Sequence, residues 1–174
     1  MTIYTYTEST NIDSTAPVPV VCEGQNVFTY NRVYSNKLKK ILDAALDFRY
    51  FVQYDVHDLQ GEQLFTIKKY ARKRRIIYNA RDKEMKFLIS YDGQFVMIPE
   101  LHIHREDGMK MELHKNIDDW SIFKDATTEY ARWNSAFDEQ TETFQMTLEV
   151  MQEHPVMTPA HYIGIAQMTL FIGG

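Results

Sequence analysis

Hydrophobic and polar residues alternate along most of this chain in short runs that end at turn residues. Runs rich in Thr, Tyr, Val, Ile and Phe cover Thr2–Glu8, Val18–Cys22, Asn26–Tyr34, Arg49–Val56, Glu62–Tyr70, Arg74–Asn79, Glu84–Ser90 and Gln94–Ile98. They continue at Leu101–Arg105, Met109–His114, Asp119–Lys124, Thr128–Trp133 and Glu142–Val150. A period of two in β-branched and aromatic residues is the signature of half-buried strands, and it predicts roughly a dozen of them. Asp92-Gly93 and Asp107-Gly108 suit tight hairpin turns, and Gly24 and Gly61 punctuate neighbouring runs in the same way. Asp58-Leu59-Gln60-Gly61 reads as the turn between Tyr54–His57 and Glu62–Ile67. Connections this short join antiparallel strands, because a parallel crossover needs a dozen or more residues. So many antiparallel strands either stack as two sheets or close into a barrel, and spacing alone leaves both open.

Two segments follow a helical period instead. From Asn36 to Phe48, Leu38, Ile41, Leu42, Ala45 and Leu46 recur at three- and four-residue intervals behind the N-cap candidate Asn36. This predicts an amphipathic surface helix laid over the sheet, with Lys37, Lys39, Lys40, Asp43 and Asp47 turned to water. Near the C-terminus, Thr158 and Pro159 form a helix start and Gly173-Gly174 a stop. The residues between them are apolar nearly all round, including Tyr162, Ile163, Ile165, Ala166, Met168 and Phe171. Such a helix is buried on most sides. A strand-rich chain with one wholly buried helix suggests a sheet wrapped around that helix, with Met146, Met151, Met157 and Met168 filling gaps in the core.

The order of these elements carries a family resemblance. A hairpin running from Tyr54 through Gly61 to Ile67 leads into a basic run and then Arg75-Ile76-Ile77-Tyr78-Asn79. The short strand Met85–Ile89 follows, then further strands, and an apolar helix closes the chain. This pattern resembles the tubby C-terminal-like superfamily, which includes the LURP-one-related proteins and the phospholipid scramblases. The resemblance covers Val18 to Gly174. It implies a mainly β fold, an antiparallel barrel of about twelve strands threaded by a hydrophobic C-terminal helix, with the 36–48 helix as an addition. It also implies that cationic residues on the barrel surface bind phosphoinositide headgroups. The cysteine cluster or calcium-ligand string that a scramblase would use is missing.

Composition narrows the picture. A length of 174 residues suits a single domain over 1–174, with 1–15 as an edge strand or an arm. The single cysteine, Cys22, excludes an intramolecular disulfide. No basic and apolar leader opens the chain, and the apolar stretch 156–172 falls short of the roughly 20 residues a membrane span needs. A cytoplasmic domain with no transmembrane segment, peripheral at a membrane if attached to one, is the expectation, and a bacterial branch of the superfamily its source. A net charge of −5 argues against nucleic-acid binding.

Charge is nonetheless concentrated. Lys68, Lys69, Arg72, Lys73, Arg74 and Arg75 place six cations within eight residues of an otherwise acidic chain. Clustered Lys and Arg attract phosphate and donate several hydrogen bonds to it, so these six residues are the candidate ligands for an anionic headgroup. The bland reading is a solvated hairpin tip whose charges block edge pairing. His102 and His104 share a strand face, and a three-residue turn at Asp107-Gly108 would add His114 to it. Exposed strand histidines are preferred there over a zinc site, since no carboxylate or cysteine spacing completes the ligand set. Asp118, Asp119, Asp125 and Glu129 lack a partner nucleophile and read as turn residues. No phosphate-cradling glycine loop or activated-serine motif occurs, so no metal, cofactor or catalytic residue is expected. The expected function is non-enzymatic binding of anionic membrane phospholipid. The alternative is a protein-interaction or scaffold module whose partner docks on the 36–48 helix.

Overall fold

The computed structural model describes residues 1–11, 14–46, 50–72, 75–92, 100–116 and 119–169, with the side chains of 71, 72, 75 and 92 left aside. The first strands are β1 (Thr2–Ser9), β2 (Val18–Cys22), β3 (Gln25–Arg32), β4 (Gln53–Asp58), β5 (Gln63–Arg72) and β6 (Arg75–Arg81). They are followed by β7 (Lys86–Asp92), β8 (Glu100–Arg105), β9 (Lys110–His114), β10 (Ser121–Lys124), β11 (Glu129–Asp138) and β12 (Thr143–Val150). Helix α1 (Lys37–Ala44) joins β3 to β4, and α2 (Pro159–Thr169) follows β12.

Each strand from β2 to β12 pairs antiparallel with its sequence neighbours, and β1 closes the ring between β2 and β12. Of the two architectures the spacing allowed, the chain adopts the barrel. The expected run Gln94–Ile98 and the Gly93 turn lie outside the described residues. β11 continues to Asp138, past the Trp133 at which the alternation stopped being legible.

Local chemistry explains the connections. Glu23 and Gly24 both hold positive φ, of 51° and 78°, which is the two-residue turn whose twist matches the flanking strands β2 and β3. At the β4–β5 turn the Asp58 carboxylate accepts from the Gln60 and Glu62 amides. Gly61 then takes φ 85°.

Period-two alternation sends one face of every strand inward. Tyr6, Val20, Phe28, Tyr30, Val56, Phe65, Ile67, Tyr78, Ile89, Ile103, Leu113, Phe123, Trp133 and Leu148 are all buried. They surround α2, whose residues from Ala160 to Thr169 are buried without exception. Tyr162 and Ile165 sit in the core as expected, while Phe171 lies outside the described residues. A helix that buries its whole circumference needs a partner on every side, and a closed barrel supplies one.

Polar contacts fix the helix along its length. The Thr158 carbonyl accepts the first amide bonds of α2, from His161 and Tyr162. His161 accepts the Thr158 N–H at Nδ1, so its Nε2–H donates to Asp82 Oδ2 at 3.2 Å. Asp82 Oδ1 meanwhile accepts from the Glu84 and Met85 amides. One carboxylate thus ties the β6–β7 turn to the start of α2. At the other end, Gln167 donates to Glu8, which also accepts from the Tyr30 hydroxyl. The Lys115 ammonium donates to the Thr169 carbonyl, and desolvation lowers the pKa of that lysine to about 8. The helix therefore runs from the barrel end with the β6–β7 turn to the end with α1 and the β5–β6 hairpin.

Helix α1 corrects the expectation for its orientation. Asn36 is its N-cap, accepting from the Lys39 amide at 2.9 Å, but the helix stops at Ala44 and 47–49 lie outside the described residues. Asp43, expected in water, is fully buried. Its carboxylate accepts from Arg32 Nη2 at 2.6 Å, from the Tyr34 hydroxyl at 2.9 Å and from the amides of Tyr50 and Phe51. A carboxylate with four donors on one side fixes which face turns inward. The apolar stripe points outward instead: Leu38, Ile41, Leu42 and Leu46 are exposed.

Candidate functional site: a cationic cleft on the barrel wall

The outward-facing residues of β4 to β8 line a cleft of about 650 Å³. Its floor is set by cross-strand register. One rung carries Gln53, Lys68, Asn79, Leu88 and His104, each opposite the next. The adjacent rung carries Asp55, Thr66, Arg81 and Lys86. The volume falls within the roughly 300–1,000 Å³ range of small-molecule sites.

Charge gives the cleft its character. Arg81 and Lys86 stand directly opposite one another across the β6–β7 ladder. Like charges at that position repel, so the pair is tolerated at some cost that a bound anion would offset. Among the described residues Arg81 has no ion-pair partner, and Lys86 meets only Glu106 at 3.7 Å, an exposed contact worth little. Lys68 reaches in from β5, its ammonium 5.1 Å from the centre of the Tyr70 ring. Asp55, the nearest carboxylate on this rung, accepts from Thr66 Oγ1 at 2.5 Å and from Gln53 Nε2 at 3.2 Å. Three cations with amide and imidazole donors around them can hold an oxyanion by charge-assisted hydrogen bonds.

The six cations singled out in the sequence separate in the fold. Lys68 lines the cleft. Lys69 follows it on the opposite face of β5, half-buried, with its amide bonded to the Val52 carbonyl. Neither sits at a hairpin tip, because β5 continues to Arg72. Arg72 and Arg75 are opposite one another at the end of the β5–β6 ladder, and Lys73 and Arg74 lie outside the described residues. Arg81 and Lys86 escaped notice in the sequence because they lie in a stretch of alternating charge, Arg81-Asp82-Lys83-Glu84-Met85-Lys86, and not in a run of cations. The signal was the spacing across the Asp82 turn, which makes them partners only once the hairpin register is known.

The other candidates fall on a strand face and in turns. His102, His104 and His114 do share the outer face, as a three-residue turn requires, and Gly108 in that turn has φ 95°. The neighbouring positions hold carboxylates: His114 lies 3.3 Å from Glu100 and 3.2 Å from Glu112, which also faces His102. Among the described residues no group of His, Cys, Asp and Glu is arranged to hold a metal ion. Asp125 accepts from the Thr127 and Thr128 amides and the Tyr130 hydroxyl, as a turn residue does. Asp118 lies outside the described residues. No helix among those described is long and apolar enough to cross a membrane.

The family model for the Tubby C-terminal like domain matches this chain over residues 4–172. The chain belongs to that family. Tubby C-terminal like domains are known for binding phosphoinositides. Comparison with curated proteins and with solved structures returns no match. The tubby-like barrel here thus carries a cationic outer cleft on a wall formed by β4 to β8.

Proposed function

We propose that this tubby-like domain is a non-enzymatic, cytoplasmic binding module. Its ligand is the phosphorylated headgroup of an anionic membrane phospholipid, held in the cleft by Lys68, Arg81 and Lys86. The observation that carries this reading is the like-charged Arg81–Lys86 pair facing a cleft of headgroup size. Lys69 on β5 and the basic run Arg72, Lys73, Arg74 and Arg75 that follows it in the chain add attraction to an anionic surface, at about 1 kcal/mol for each residue close to the membrane. Family membership supports the ligand class.

The test is vesicle co-sedimentation over lipid charge and salt. Wild type is compared with the cleft variant Lys68→Glu/Arg81→Glu/Lys86→Glu and the hairpin variant Arg72→Glu/Arg74→Glu/Arg75→Glu. Loss of phosphoinositide selectivity in the cleft variant, with weaker but still selective binding in the hairpin variant, supports the proposal. Failure of wild type to sediment with any anionic vesicle rejects it.

A further inference from the structure

Helix α1 presents its apolar stripe to solvent. Leu38, Ile41 and Leu42 on the helix, with Leu46 and Tyr50 beyond its end, are between 44% and 66% exposed. An amphipathic helix ordinarily turns this face to the core, and contiguous exposed apolar side chains mark a surface that something else covers. The inversion is built in, because the buried Asp43 with its Arg32 and Tyr34 donors holds the helix in this orientation.

Two features indicate what covers it. Lys37, Lys39 and Lys40 are interleaved with the stripe, and the helix's only carboxylate is the buried Asp43, so the exposed part of α1 carries cations alone. Apolar residues flanked by lysines are the composition of helices that lie in the membrane–water interface. The position agrees. α1 connects β3 to β4 at the end of the barrel where β5 and β6 finish their ladder at Arg72 and Arg75. The Val52 carbonyl, immediately before β4, accepts from the Lys69 amide at 2.9 Å. The apolar stripe and the cationic strand ends therefore share one rim.

We infer that α1 with the turn after it is an interfacial membrane anchor: Leu38, Ile41 and Leu42 of the helix and Leu46 of the turn enter the acyl–headgroup boundary while the helix's lysines contact anionic lipid. This rests on the headgroup reading above for the choice of surface. A protein groove, by contrast, would need acidic residues to receive the lysines as well as an apolar floor.

The experiment places an environment-sensitive nitrobenzoxadiazole label on Ile41→Cys in a Cys22→Ser background. The vesicles are phosphatidylcholine alone, phosphatidylcholine with phosphatidylserine, and phosphatidylcholine with phosphatidylinositol bisphosphate, each with and without acyl-chain spin-labelled lipid. A blue shift and quenching by the spin label on anionic vesicles is the expected result. Alongside it, Leu38→Asp/Ile41→Asp should weaken sedimentation about tenfold or more, since each change removes apolar area and adds charge. Both positions are exposed, so an unchanged melting temperature separates this from misfolding. Sedimentation without quenching, and undiminished in the aspartate variant, overturns the anchor and leaves the headgroup reading standing. Quenching that persists when Lys68, Arg81 and Lys86 are reversed, with the preference for phosphatidylinositol bisphosphate vesicles intact, supports the anchor while rejecting the cleft. A blue shift without vesicles that grows with protein concentration, or one produced only by an added protein fraction, overturns the anchor in favour of self-association or a protein partner.

Discussion

Gly164 of α2 faces Phe65 of β5 so closely that a Cβ at Gly164 would lie 2.6 Å from Phe65 Cδ1 and 2.9 Å from Cε1. The aromatic ring has little room to yield, because Phe87 meets it edge-on and His161 at a tilt, with ring centres 5.7 and 4.8 Å away. Glycine in mid-helix is ordinarily a loss of about 1 kcal/mol relative to alanine. Here it is the residue that lets the helix approach the wall. Gly164→Ala is expected to destabilise the barrel by about 1–3 kcal/mol despite its better helix propensity. Adding Phe65→Leu should recover part of that loss, so the double variant in denaturant titration falls short of the sum of the singles.

Removing the Asp43 carboxylate has a different signature. Arg32 is buried with it, and breaking a buried ion pair by removing one partner costs about 3–5 kcal/mol. Asp43→Ala should therefore lower the unfolding free energy by about that amount. It should also release α1 from the barrel end, read as faster amide exchange at Tyr50 and Phe51, whose N–H groups Asp43 accepts.

Acid sensitivity should originate at the start of α2. Burial holds the His161 pKa below its ordinary value of 6.5, against the opposing pull of Asp82. The folded chain therefore resists a proton that the unfolded chain accepts, and stability declines as pH falls from about 6.5 towards the lowered value. Asp82 resists burial through the hydrogen bonds it accepts, and its pKa lies below 3.8, so its own contribution is lost only in stronger acid. His161→Gln should start less stable at pH 7 but lose less between pH 7 and 5. Melting temperatures of the two proteins across that interval check this. Equal slopes would assign the acid sensitivity elsewhere.

In the cleft, Arg81→Ser and Lys86→Ser should each weaken anionic-vesicle binding about fivefold, near 1 kcal/mol per cation. Both residues are exposed, so thermal stability should stay unchanged or rise slightly as the repulsion across the ladder is relieved. Titration with vesicles at two salt concentrations, beside a melting curve, measures both effects. A loss of stability without a loss of binding would make the pair structural.

Local chemistry alone carried much of this protein. Period-two alternation located most strands, Asn36 and the Thr158-Pro159 pair marked the helix starts, and an all-apolar segment without charges required a container. Those signals depend on neighbours within a few residues, which is why they were legible. Closure of the ring was not, because pairing of β1 with β12 joins residues more than a hundred positions apart. The cleft was hidden for the same reason: Lys68, Arg81 and Lys86 become one site only through strand register. Most telling is α1, where hydrophobic periodicity fixed the helix and its stripe but gave the wrong side to water. Periodicity records that a helix has two faces. Which one turns inward was decided by Arg32, Tyr34 and the amides of Tyr50 and Phe51 converging on Asp43, an arrangement that exists only in the folded chain.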